Sequence, residues 1–361
     1  MPRLEGEVRA EVCVIGLGGS GLAALDELQT LGVSAVGLDA RAVGAGAAGR
    51  NGGFLLAGLA RFFHETVDQF GAETAAALYR HTAAEIQRQA QELPGIVRLT
   101  GSLRLAADAA EQADCQQHLA ALRASGFAAE PYAGPEGEGI LLPSDGVMQP
   151  LHRARALAAG LRARGGRLYE DSPVKEIVPG AVVTPAGTVR CETVIAAVDG
   201  RLELMFPELR PRVRTARLQM LATAPAPEVN FSRPVYWRHG YEYWQQQPDG
   251  CVALGGFRDH ALEEEWTMAL EPTDRIQGLL EKFLREHLKV RAPITHRWAA
   301  PVAYTADGLP VLEQVRDRVW AVGAYSGTGN IVGALCARAA ARLACGRSSL
   351  WADLLARARC G

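Results

Sequence analysis

The sequence predicts an α/β fold. A parallel sheet is assembled from separated stretches of chain, and a second, smaller domain carries a mixed or antiparallel sheet. Three observations predict it. The glycine-rich turn Gly16-Leu17-Gly18-Gly19-Ser20-Gly21 lies between the apolar run 12–15 and a helix-like stretch reaching residue 30. A second apolar run over 33–38 ends on Asp39. Far along the chain, an apolar run over 319–322, a glycine loop over 323–330 and an apolar helix over 331–344 repeat the strand–glycine loop–helix plan.

The chain has 361 residues, enough for a large core and two domains. Its 48% hydrophobic and 22% charged content is that of a globular protein. Net charge is −2 and no basic patch dominates, which argues against nucleic acid as a main partner. The seven cysteines are scattered, with no C-x-x-C pair, so no disulfide framework is expected. Cys13 and Cys191 lie in or beside apolar runs, where a thiol behaves as a small hydrophobe. Residues 1–11 hold no apolar stretch of signal-peptide length, and no run approaches the ~20 residues of a membrane span. A cytoplasmic location without membrane contact is the expectation. The eight histidines lack metal-ligand spacing, and no metal site is expected.

The elements follow in order. Residues 43–53 hold five glycines in eleven positions, too many for a regular helix or strand. Helical periodicity fills 65–92, alternation marks a strand over 101–106, and 109–125 reads as a helix stopped by Gly126. Proline and glycine over 130–146 suggest a crossing between domains. A helix over 150–164 starts on Pro150, and short strands follow over 167–169, 174–178, 182–184 and 194–198. Prolines, aromatics and alternation over 219–257 suggest an antiparallel sheet, with turns at His239-Gly240 and Pro248-Asp249-Gly250. Residues 275–289 form an amphipathic helix, with Glu281 and Arg285 as an i,i+4 pair.

The first turn has the physical form of a dinucleotide fingerprint. Gly16 allows the tight turn, Gly18 lets backbone approach a pyrophosphate, and Gly21 lets helix pack on strand. The pyrophosphate sits on the helix N-terminus, and Asp39 is placed to accept from a ribose hydroxyl. Asp39 alone suits NAD as well as FAD. Two strand–glycine loop–helix units fit a long dinucleotide touched at both ends.

The chain resembles the D-amino-acid-oxidase-like FAD-dependent oxidoreductases, which include glycine, sarcosine and γ-glutamylputrescine oxidases. The likeness rests on four places: residues 16–21 with Asp39; the 44–53 segment with its Gly49-Arg50-Asn51-Gly52-Gly53 core; Thr305-Ala306-Asp307-Gly308-Leu309-Pro310; and 319–329. It implies a discontinuous Rossmann-like FAD-binding domain over 1–95, 146–215 and 298–361, and a substrate domain over 96–145 and 216–297. It also implies noncovalent FAD. Gly16, Gly18, Gly19, Gly21 and Asp39 would hold the pyrophosphate and ribose, and Ala40 and Arg41 would line the adenine end. Gly49, Arg50, Asn51, Gly52 and Gly53 would run under the isoalloxazine. Val174 would meet the adenine by its backbone. Gly323, Gly327, Thr328, Gly329 and Asn330 would present amides and a positive helix end to the pyrimidine ring.

The implied chemistry is hydride transfer to flavin N5 from a C–H beside an amine nitrogen, giving an imine that hydrolyses. The substrate would be a small amine or amino acid. Val302 stands where amino-acid-oxidising relatives carry a carboxylate-binding arginine, and residues 298–304 lack the cysteine some relatives use to attach flavin. No lysine occupies 251–256, where sarcosine-oxidase-like relatives place one. Arg258, Tyr304 and Tyr241 are the candidate substrate-positioning residues. Arg238, among Tyr236, Trp237, Tyr241, Tyr243 and Trp244, is a further carboxylate clamp candidate, and those aromatics could cage a cationic amine. Two alternatives stay open: an NAD-dependent dehydrogenase, and a non-catalytic flavin-binding subunit of a heteromeric amine oxidase.

Overall fold

A mainly parallel sheet carries the fingerprint turn at the end of its Val12–Ile15 strand. The computed structural model describes residues 1–360, and the chain divides into two compact units. The first comprises Met1–Arg50, Pro150–Thr215 and Val302–Gly361; the second comprises Asn51–Gln149 and Ala216–Pro301.

In the first unit, six strands lie in the order Arg167–Tyr169, Ala35–Leu38, Val12–Ile15, Thr193–Ala196, Val319–Gly323, Val311–Arg316. The first five are parallel and the last runs antiparallel. Val12–Ile15 is buried at all four positions, which is why it reads as an unbroken apolar run. The Gly19–Thr30 helix packs back on the sheet. A Cβ on Gly37 would stand 2.7 Å from both Leu17 and Leu25. Gly32, at φ +73°, ends that turn of chain in the left-handed region. The Val332–Ala344 helix lies against Gly19–Thr30 so closely that a Cβ on Gly333 would come within 2.6 Å of Ser20 Oγ. A smaller sheet of Gly6–Arg9, Gly187–Arg190, Ala181–Val183 and Glu176–Val178 shares the core through Leu4, Val182, Val189 and Phe206.

The second unit is built on an eight-stranded sheet. Its strands Val213–Pro225 and Ile294–Thr305 also carry the chain across the unit boundaries. Trp244, Leu254 and Leu221 on one face pack with Ile276, Leu280, Phe283 and Leu284 of the Asp274–Glu286 helix. Alternation sends Tyr243 to the other face, where it stacks on Tyr236, ring centroids 5.8 Å apart.

Three expectations are corrected. Residues 51–95 belong to the second unit, not to the unit of the fingerprint. Phe54–Leu55 pairs with Gly146–Met148, and Phe63 and Tyr79 share a core with Cys115, Leu122 and Ile140. Two further boundaries move from 145 to 149 and from 297 to 301. The 130–146 stretch is an antiparallel hairpin of Glu130–Gly134 and Gly137–Leu142, not a crossing. Pro131 is tolerated because its strand is the sheet edge. The strands within 219–257 pair antiparallel as expected, and the sheet is mixed through Val235–Trp237, which runs parallel to Ser102–Leu105. Lastly, Glu281 pairs with Arg297 at 2.5 Å, while Arg285 donates to the Val290 and Ala292 carbonyls.

Candidate functional site

Three neighbouring parallel strands place the glycine loops on one edge of the first unit's sheet. Val12–Ile15, Thr193–Ala196 and Val319–Gly323 lie side by side, so Gly16, Ala197 and Ala324 all leave at carboxyl ends. From Val12–Ile15 the sheet continues to Ala35–Leu38 on one side and Thr193–Ala196 on the other. That is the switch point at which open α/β sheets take ligands.

Sterics require glycine at two fingerprint positions. A Cβ on Gly16, at φ +97°, would lie 2.5 Å from the Ala197 carbonyl oxygen; one on Gly21 would lie 1.8 Å from that of Gly16. Gly18 caps the Gly19–Thr30 helix without a side-chain bond, and its first turn carries no acidic residue. Its amides therefore suit an anion. Arg153, from the Pro150–Ala163 helix, stands beside this turn. It is 4% exposed, and a Cβ on Gly19 would sit 2.8 Å from its Nη1. Nothing local marked Arg153 in the sequence.

Asp39 follows Ala35–Leu38 and holds the turn. Its carboxylate accepts from Leu17 N–H at 2.7 Å and Arg41 N–H at 2.9 Å. Burial pushes this carboxyl up, against the pull of those two amides. Each oxygen keeps a lone pair for another donor. Ala40 is exposed, and Arg41 donates to the Ala45 carbonyl at 3.2 Å. Gly49 and Arg50 lie in the short Ala47–Arg50 helix; desolvation, then Arg41, holds the Arg50 pKa down. Val174 is half-buried against the core of the smaller sheet.

The late loop is backed by a slot for one ring. A Cβ on Gly329 or on Gly333 would come within 3.0 Å of Tyr325, so both glycines make room for it. Thr328 Oγ1 donates to the Tyr325 carbonyl at 2.7 Å. The Val332–Ala344 helix has no acidic residue in its first turn. Gly323 closes against Leu202 and Asp199, Gly327 has open space beside it, and Asn330 is half-buried. Two acid-free helix N-termini, a glycine cradle and a buried guanidinium along one edge fit a dinucleotide such as FAD.

The second unit places Asn51, Gly52 and Gly53 under its aromatic face. Asn51 accepts from Gly53 N–H at 2.8 Å, and Gln245 Nε2 donates to the Gly52 and Met148 carbonyls. A Cβ on Gly52 would press on Phe54 and Tyr243. Tyr241 accepts at its carbonyl from Phe257 N–H, and Arg258 lies 4.8 Å over the Trp266 ring. Tyr304 belongs to the first unit, on the Ile294–Thr305 strand. Arg238 does not offer a free clamp. It is paired with Glu242 at 2.6 Å and with Asp259 at 2.6 Å, which hold it firmly charged. The expected aromatic cage is also divided: Tyr236 and Tyr243 share one face, whereas Trp237 and Trp244 pack on Phe283.

Among the described residues, no group of three or more His, Cys, Asp or Glu could hold a metal ion. None of their helices is long and apolar enough to cross a membrane.

Comparison with known proteins agrees with this geometry. The chain is similar to "Probable oxidoreductase OrdL" of Rhizobium meliloti (strain 1021), 27% identical over 96% of this chain and 86% of that protein. It is similar to the gamma-glutamylputrescine oxidoreductase of Escherichia coli (strain K12), 26% identical over 90% of this chain and 81% of that protein. Among solved structures it shares the fold of L-proline dehydrogenase from P. horikoshii, with TM-score 0.77, 19% identity and coverage of 97% and 96% of the two chains. Glycine oxidase from Geobacillus kaustophilus has the same fold, with TM-score 0.75, 19% identity and coverage of 95% and 96%. A family model described as FAD dependent oxidoreductase matches residues 11–343, and the chain belongs to that family.

Proposed function

We propose that the protein is a cytoplasmic, noncovalent FAD-dependent oxidoreductase that oxidises a C–N bond of a small amine or amino acid. One observation carries this reading: the fingerprint turn and the late glycine loop leave adjacent parallel strands on the same sheet edge. Bound FAD supplies the hydride acceptor at N5, and the resulting imine hydrolyses in water. The residues of this chain bind and orient. Gly16, Gly18, Gly19, Gly21 and Arg153 take the pyrophosphate, Asp39 the ribose, and Ala40, Arg41 and Val174 the adenine end. Gly49, Arg50, Asn51, Gly52 and Gly53, with Gly323, Gly327, Thr328, Gly329 and Asn330, receive the isoalloxazine. Tyr241, Arg258 and Tyr304 position the substrate.

Amines are favoured over amino acids. Val302 replaces the usual arginine, and Arg238 is neutralised by two carboxylates, so neither supplies a bidentate partner for a substrate carboxylate. The absence of a cysteine in 298–304 favours noncovalent flavin, and the free buried thiols of Cys13, Cys115 and Cys336 suit a reducing compartment. Membership of an FAD-dependent family leaves nothing to favour NAD.

The test is an anaerobic panel of amines and amino acids scored by flavin absorbance at ~450 nm, since the cofactor reports its own chemistry. Bleaching by amines, and more weakly by their α-carboxylated counterparts, is expected. Colourless protein that takes up no FAD would refute the reading. Bound FAD that no substrate bleaches would identify the non-catalytic subunit instead.

A further inference from the structure

Asp199 is used by no step above, yet it sits beneath the late glycine loop. It follows the Thr193–Ala196 strand, is only partly exposed, and has φ +37°. Its carboxylate accepts a backbone N–H bond from Tyr325 at 3.4 Å, and the neighbouring Ala324 and Ala303 amides favour its charged form. Ser326 N–H in turn reaches the Ala303 carbonyl at 3.1 Å. Between these bonds the loop is strained: Ala324 has φ +52° and Ser326 φ +51°, a region that non-glycine residues avoid. Gly327, at φ +91°, follows directly. A short polar side chain thus bonds the loop between the residues that would otherwise relax.

We propose that the Asp199 carboxylate is the clamp that holds residues 324–327 in the strained shape that receives the flavin end of the cofactor. Asp199 is a positioning residue, since it acts through the loop amides. The inference rests on the reading that FAD binds here. It has a pH signature. Burial pushes the carboxyl up to about 7, with the Glu203 charge adding to the effect. Tyr325, which burial keeps neutral, and the amides of residues 303, 324 and 325 also act on it. Above that value the charged carboxylate accepts all of its bonds. Protonation as pH falls removes acceptor capacity, so FAD should be held less tightly.

The test measures FAD release from the holoprotein by flavin fluorescence on dilution, for wild type and Asp199→Asn, from about pH 5.5 to about pH 8.5. Asn keeps the size and turns two donors toward the loop amides. At high pH the variant should hold FAD on the order of tenfold more weakly. The weakening of wild-type binding on acidification should be missing in the variant. Equal affinity and an unchanged pH profile in Asp199→Asn would overturn the proposal. Should Asp199→Asn fail to fold, the wild-type profile decides alone: affinity flat across the range overturns it. A wild type that binds no FAD at all would instead refute the underlying function.

Discussion

Arg153 and Gly19 explain each other. The guanidinium occupies the space a side chain at residue 19 would need, and the missing side chain opens the first helical amides to whatever the guanidinium attracts. A hydrogen bond to a charged partner is worth about 1.5–3 kcal/mol, or roughly ten- to a hundredfold in affinity. Arg153→Met should therefore weaken FAD binding by about that factor, with the far-ultraviolet circular dichroism of the apoprotein unchanged. A fluorescence titration of apoprotein measures it, and wild-type affinity would remove Arg153 from the cofactor site. The sequence made Gly16, Gly18, Gly21 and Asp39 legible because their demands are local: a positive φ, a close approach, an acid at a strand end. Arg153 was not legible, because only the packing of its helix against the fingerprint brings it to Gly19. The ion pairs of Arg238 are hidden in the sequence for the same reason. Glu242 lies near it in sequence, but Asp259 joins it only through the fold.

At the scale of elements, glycines act by what they exclude. Gly21→Ala places a Cβ 1.8 Å from the Gly16 carbonyl oxygen, which a rigid backbone cannot yield. The helix must lift from the strand, and destabilisation above about 4 kcal/mol with loss of FAD is expected. Gly46→Ala is the control. Nothing lies within 4 Å of its Cβ, so its effect should stay within about 0.5 kcal/mol. Thermal melts with flavin release as a second signal compare the two, and similar melting would contradict the steric account. Elements with a strong period are readable from sequence, as with Asp274–Glu286 and its apolar stripe. The Glu130–Gly134 and Gly137–Leu142 hairpin is not, because proline and glycine read as breakers in sequence. At a sheet edge, Pro131 withdraws an N–H that no neighbour needed.

Across the whole molecule, each unit is stitched from separate lengths of chain. Residues 51–149 complete only the small sheet of Phe54–Leu55, Gly146–Met148 and Val97–Arg98; the eight-stranded sheet needs Val235–Trp237, from beyond residue 216, to pair with Ser102–Leu105. In the first unit Val319–Gly323 completes the row beside Thr193–Ala196. A chain ended at residue 310 would lack that strand, its antiparallel partner and the Val332–Ala344 helix. Such a chain should take up no FAD and should partition into aggregates, as sedimentation and flavin fluorescence would show. Retained yellow colour would mean the late loop is dispensable. Composition and spacing convey the return of the late loop toward the fingerprint, because both strand–loop–helix units carry their own glycine signals; the discontinuous division itself is what the family resemblance implies. Composition and spacing do not convey the boundary at residue 50, since the 43–53 glycines run through it without a break.

The order of the strands along the chain, with Val319–Gly323 made long after the fingerprint, also sets a timetable. While the chain emerges from the ribosome, the fingerprint half of the cradle is made first and waits, with Thr193–Ala196 lacking its neighbour. Cofactor capture is consequently a late event in the life of the chain. A flavin-binding cradle of this form is therefore complete only once residues 319–330 have been made, and not while the fingerprint stands alone.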